Sequence, residues 1–236
     1  MSGRFWAIAT ALTGAGVLAL FAAFAMLPEA KAAGSCLPPG SVVMFELARN
    51  AADLNAIFGA PDARCHSLAI AAMDAVNTLD IHAFIPTYTV FCVCAALFLS
   101  GGALRPLVIA AIASAIAALA GDYLETFTLL RLTHTLDAPD ALLPQLQLGA
   151  WSKFGALAMH AFFCAGLCFL EGKRRPILGA LLLLPLPGFA AAAYNHIAFS
   201  NFMNLSFAIA WLALIAMAIS GAILKQRAEA APQSAA

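Results

Sequence analysis

Charge is what this sequence has least of. Charged residues make up 10% of the 236, where a soluble domain carries about 25%. Twelve basic residues balance twelve acidic ones, with neither a basic run nor an acidic tail, so nothing in the chain is built to hold a nucleic acid. The ~10-residue alternating segments of a membrane β-barrel are missing as well. Enzyme signatures are equally scarce. H-E-x-x-H, C-x-x-C, G-x-S-x-G, a phosphate-cradling glycine loop and a Rossmann fingerprint are all absent, which removes the usual metalloprotease, hydrolase and nucleotide-binding readings. No inverted repeat of the transporter type is evident. The balance of these absences favours a non-enzymatic protein.

Apolar residues fill the space. They form 63% of the chain, mean hydropathy is +0.91, and several runs reach the ~18–20 residues needed to cross hydrocarbon. The expected fold is all-α, a polytopic transmembrane helix bundle in a lipid bilayer. Six spans are expected at about 5–27, 70–100, 106–131, 151–170, 177–199 and 205–224. Ala30-Lys31-Ala32 resembles a signal-peptidase site, and cleavage there would leave five spans. The apolar run before it exceeds the ~7–15 residues of a signal core, which favours an uncleaved helix. Residues 43–58 carry an apolar face (Phe45, Ala48, Leu54, Phe58) and a polar one (Glu46, Arg49, Asn50, Asp53), the pattern of one interfacial amphipathic helix. Pro86 is expected to bend the second span. Residues 228–236 read as a disordered tail.

Short-loop Lys and Arg set the orientation. With the N-terminus inside, the inner face collects Arg4, Arg105, Lys173, Arg174, Arg175, Lys225 and Arg227. The outer face keeps Lys31, Arg49, Arg64, Arg131 and Lys153, spread over longer segments. Both termini are therefore expected in the cytoplasm. On this topology a rise of ~1.5 Å per residue places Asp122 and Glu125 roughly 24–29 Å above the inner face, Asp80 about 31 Å, Tyr88 about 20 Å, and Tyr194, Asn195 and His196 roughly 25–29 Å. Trp151 and Lys153 open the fourth span at the same level. Asn201 and Asn204 flank the outer turn. A polar pocket is expected in the outer leaflet.

Acids inside a membrane segment call for a reason. Asp122 and Glu125, three apart, share a face that continues through Ala118, Ala115 and Ala111, a small-residue stripe suited to close helix packing. Both acids thus point into the bundle. On the fourth span Lys153, His160, Cys164 and Cys168 form an inward stripe. Three chemistries suit this set. Asp80, Asp122, Glu125 and His196, with His134 as a further candidate, have donor types that suit a divalent metal. An ion-pair network with Lys153 would need no ligand. A proton or polar-ligand site would use the same carboxylates. His82, His160 and His196 sit at unequal depths and form no axial pair, which argues against haem. Cys36 and Cys65 fall in one outer loop, where an oxidising compartment permits a disulfide. Cys92, Cys94, Cys164 and Cys168 read as apolar packing.

The run Phe45-Glu46-Leu47-Ala48, then Leu79-Asp80 with Tyr88, then Asp122-x-x-Glu125 and Lys153, resembles a set of small bacterial inner-membrane proteins without an assigned activity. In those proteins Asn follows the acidic pair, and Thr126 stands there in this chain. The resemblance covers about residues 40–170. It implies a bacterial inner-membrane location and attention to Asp80, Tyr88, Asp122, Glu125 and Lys153. Three functions follow as expectations. The first is a pocket of Asp80, Tyr88, Asp122, Glu125, Lys153, His160, Asn195 and His196 that binds or passes a small ligand, lipid headgroup or proton. The second is a metal-dependent membrane enzyme built on Asp122 and Glu125. The third is an assembly partner that meets another protein through the interfacial helix at Glu46 and Arg49.

Overall fold

A computed structural model describes residues 3–61, 64–170 and 175–230, the last seven by backbone only. Lys173, Arg174, the side chains of Lys225 and Arg227, and the tail beyond 230 lie outside the described residues. Among those described there is no strand. The helices are α1 (Gly3–Met26), α2 (Pro28–Ala33), α3 (Ser41–Glu46), α4 (Ala51–Phe58), α5 (Arg64–Leu79), α6 (Ile85–Leu99), α7 (Pro106–Leu132), α8 (Leu143–Leu170), α9 (Pro176–Leu183), α10 (Pro185–Tyr194) and α11 (His196–Ala230). Six helical segments are long and apolar enough to cross a membrane, with α5–α6 forming one and α9–α10 another. Large apolar side chains such as Leu12, Ile109, Ile116 and Ile177 cover their outer faces. The chain is a multi-pass integral membrane protein.

Each span packs against its neighbours in sequence, and α1 closes the ring by packing against both α6 and α11. Small α2, α3 and α4 cover one end, hereafter the capped end. A disulfide between Cys36 and Cys65 ties the turn after α2 to the first turn of α5. The other four cysteines are buried thiols.

The last helix runs on to Ala230, so residues 228–230 of the expected tail are helical, and three further differences in helix limits each have a local reason. The fourth span starts at Leu143 rather than Trp151. Its first turns look polar because they carry Gln145 and Gln147, yet Gln147 is used internally. Its Nε2 donates to the Leu47 and Ala48 carbonyls at 3.3 and 2.6 Å, while its Oε1 accepts from Trp151 Nε1 at 2.7 Å. The turn between the last two spans is a single extended residue, Asn195 (φ −146°, ψ 96°), so residues 196–204 are helical and not a link. Asn195 Oδ1 accepts from the Ala198 N–H at 3.1 Å, the N-cap role that favours Asn. The single amphipathic helix expected at 43–58 is two helices. Asn50 breaks it by capping α4, its Oδ1 taking the Asp53 N–H at 3.0 Å.

Pro86 acts through a π-turn over Asp80–Phe84. The Ile85 N–H bonds to Asp80 O, one residue further back than in an α-helix. The next bond of that register would need an N–H that Pro86 lacks. Ile81 O is left without a helical partner, and Tyr123 Oη on α7 donates to it at 3.3 Å. Such turns gather at functional sites, and this one holds Asp80 against α7.

The α7–α8 crossing brings backbone against backbone. The Ala111, Ala115 and Ala118 stripe is fully buried, and Gly121 continues it. A Cβ on Gly121 would sit 2.7 Å from the Lys153 backbone N, and one on Gly149 would sit 2.6 Å from the Glu125 backbone N. Neither glycine admits a side chain unless the helices separate. Gly155, six residues further along α8, faces Phe189 at an ordinary 3.5 Å. Gly149→Ala is therefore expected to lower stability by about 1–3 kcal/mol, and Gly155→Ala to change it little. Thermal melts of the two variants side by side check this.

Candidate functional site

The close approach of α7 and α8 brings an ammonium into a nest of acids. Lys153, 5% exposed, points from α8 toward α7. Its Nζ lies 2.8 Å from each oxygen of Glu125, 3.4 Å from Asp122 Oδ1 and 3.2 Å from Glu46 Oε1 on α3. An ammonium has three N–H bonds, and here three carboxylates surround it. The Phe154 ring lies 4.5 Å away on another side. Gln147, clamping the last carbonyls of the α3 region, holds Glu46 over this group.

A fourth carboxylate, Asp80, completes the cluster from the π-turn. Thr126 Oγ1 lies 3.1 Å from Asp80 Oδ2 and 3.4 Å from Asp122 Oδ1, so its single proton serves one acid at a time. Thr126 is thus a donor within reach of both acids. No Lys, Arg or His of the described residues forms an ion pair with Asp80. The cluster holds four carboxyl groups against one ammonium.

A cavity of about 620 Å³ opens onto this cluster. Its floor is polar, with Glu46, Asp80, Asp122 and Lys153 joined by Asn77 and Tyr88. Its walls are apolar and largely aromatic: Phe21 and Phe24 from α1, Phe84 in edge contact with both rings, and Trp211 from α11. Exposed Ala25 on α1 and exposed Leu205 and Ala208 on α11 line its rim, so it opens sideways between the capped ends of those helices. Two buried polar groups on the floor lack a hydrogen-bond partner, Asn77 Nδ2 and Tyr88 Oη. The Tyr88 hydroxyl lies beside Asp122 without hydrogen-bond geometry.

The structure thus brings together Asp80, Tyr88, Asp122, Glu125 and Lys153, with Glu125 sealed behind Lys153 and not itself lining the cavity. It does not bring in the other expected residues. His160 Nδ1 donates to Ala111 O at 3.0 Å, and its Nε2 lies 3.5 Å from Cys164 Sγ, deeper between α7 and α8. Asn195 is a helix cap. His196 faces Asp53 instead, Nε2 to Oδ2 3.4 Å, in a separate clasp. There Arg49 Nη2 donates to Ala193 O at 3.3 Å and its guanidinium lies 5.5 Å over Trp151. The metal set Asp80, Asp122, Glu125 and His196 is therefore not assembled. Among the described residues no three His, Cys, Asp or Glu side chains, His134 included, are arranged to hold an ion. The Lys153 ammonium takes the place among the acids that a cation would need. The apolar face of the expected interfacial helix packs within the chain, Phe45, Leu54, Ile57 and Phe58 against Leu129, Leu132 and Leu146.

Glu46, Asn77, Thr126 and Trp211 were missed as site residues. Glu46 reads as one of four polar residues on a helix face, but it is flanked by Phe45, Leu47 and Ala48, all buried. An isolated acid in an apolar run is the signal that separates it from the solvated Arg49 and Asn50. No family model matches the chain, and no curated protein or solved structure matches it either.

Burial raises the Glu46 carboxyl above its ordinary value near 4.5, against the opposing pull of Lys153. The folded protein therefore retains this proton where the unfolded chain has lost it, and stability falls as pH rises through that window. Glutamine cannot titrate. The melting temperature of the natural protein minus that of Glu46→Gln should fall as pH is raised above about 4.5; a constant difference across pH contradicts the assignment.

Proposed function

We propose that this is a bacterial inner-membrane protein, with both termini cytoplasmic, whose pocket receives the polar head of an amphiphilic molecule from the outer leaflet. The observation that carries this reading is the form of the cavity. A ligand entering between α1 and α11 meets aromatic and aliphatic walls first and charged groups only at the bottom. That order matches a molecule with an apolar tail and a polar head. Binding sites combine apolar walls with a few placed polar groups in this way. The cavity volume of about 620 Å³ suits a headgroup with the first part of a chain rather than a metal ion or a lone proton. The unpartnered Tyr88 and Asn77 groups fit the same reading, because buried polar groups ordinarily find partners and a bound head would supply them. The positive-inside pattern and the resemblance to bacterial inner-membrane proteins support the location.

Native mass spectrometry of protein extracted in mild detergent tests this. We expect an amphiphile adduct near one per chain. Ala208→Trp, which places an indole at the rim without touching the charged floor, should remove the adduct and leave the melting temperature close to that of the natural protein. An absent adduct, or one indifferent to Ala208→Trp, contradicts the reading.

A further inference from the structure

We infer that the head this pocket selects is a cation, an ammonium nitrogen carried on an apolar chain. The inference rests on the amphiphile reading above and adds the chemistry of the head. It follows from which groups on the floor are already satisfied. Lys153 Nζ is already surrounded by Glu46, Asp122 and Glu125, so an anionic head would have to compete with three acids for the one described cation of the floor. Asp80 is in the opposite position. Its one described hydrogen bond comes from the neutral hydroxyl of Thr126, and it faces the cavity. A phosphate or sulfate placed here would meet surplus carboxylate with no free cation to bind. An ammonium would meet the charge the site lacks.

The aromatic wall points to the same ligand through a separate interaction. Tyr88 and Trp211 stack with centroids 5.7 Å apart, and Phe84 lies 5.5 Å from Tyr88. All three line the cavity above Asp80 and Asp122. Aromatic faces carry negative partial charge and attract ammonium groups, quaternary ones included. The Tyr88 hydroxyl, 1% exposed at the residue level and unpartnered, offers a lone pair at the junction of wall and floor. Carboxylate beneath and aromatic faces beside form one site for positive charge at the bottom of an apolar cleft.

Trp211 supplies the readout. Full-length protein carrying Trp6→Phe and Trp151→Phe, with Trp211 as the remaining indole, is placed in nanodiscs. It is titrated with three bromo-undecyl probes that differ only in the head: trimethylammonium, hydroxyl and sulfate. Bromine quenches indole fluorescence on contact, and each curve is scaled to mole fraction in the bilayer. We expect the ammonium probe to reach half-quenching at a mole fraction roughly 10-fold below the alcohol, with the sulfate weakest. In Asp80→Asn the gap between ammonium and alcohol should close to about 2-fold or less. Equal quenching by ammonium and alcohol in the unaltered site overturns the cation inference and leaves the amphiphile reading standing. Preference for sulfate overturns it too. No quenching by any probe overturns both. Should Asp80→Asn not fold, the three-probe comparison decides alone.

Discussion

An ammonium ion in the middle of a hydrophobic bundle sets the terms for everything around it. Lys153 is tolerable there only because three acids from two different elements, α3 and α7, converge on it, and those acids are tolerable only because of Lys153. Removing either side of such a buried pair leaves an uncompensated charge in a medium of low polarity, which is far more damaging than losing a surface ion pair. The geometry of α3, α7 and α8 can be read as the consequence. Gly121 and Gly149 let two helices approach until their backbones touch. Gln147 holds the end of α3 in place. The π-turn at Asp80–Phe84 swings a fourth carboxyl toward the same point.

That arrangement leaves acid over. Three carboxyl groups already face one ammonium, and Asp80 adds a fourth. A purely structural network gains nothing from a further acid that has no cation of its own. Here that acid borders a cleft with aromatic walls and an opening toward the lipid between α1 and α11. The same residues therefore divide between two tasks. Glu125, behind Lys153 and closed off from the cavity, belongs to the scaffold. Asp80, Tyr88 and Asn77, which line the cavity, face the space that the proposed ligand would fill.

Much of this was legible in the chain. Six apolar runs forced a helical membrane bundle, and two acids three residues apart on a face of alanines could only point inward. Depth along the helices was enough to set Asp80, Asp122, Glu125 and Lys153 at one level. What depth cannot give is azimuth. His160 and His196 were assigned by level, but His160 turns to the Ala111 carbonyl and His196 to Asp53. Pattern also misread polarity where a polar group is satisfied within the chain. Gln147 looked like loop and is a clamp inside α8, and Asn195 looked like a ligand and is a cap. Glu46 was hidden for the opposite reason, since its neighbours Arg49 and Asn50 are exposed while it turns in toward Lys153. The π-turn had one local sign, Pro86, which announces a disturbance in the helix without saying that it rotates Asp80 toward α7.

The most direct test of the central claim is a double-mutant cycle on Lys153→Met and Glu125→Gln, read by unfolding in mixed micelles. Each single change should destabilise by about 3–5 kcal/mol. The pair together should fall short of the sum by at least about 2 kcal/mol, as expected of groups that act as one unit. Additive losses would contradict the claim and show that the ammonium and its acids hold the bundle independently.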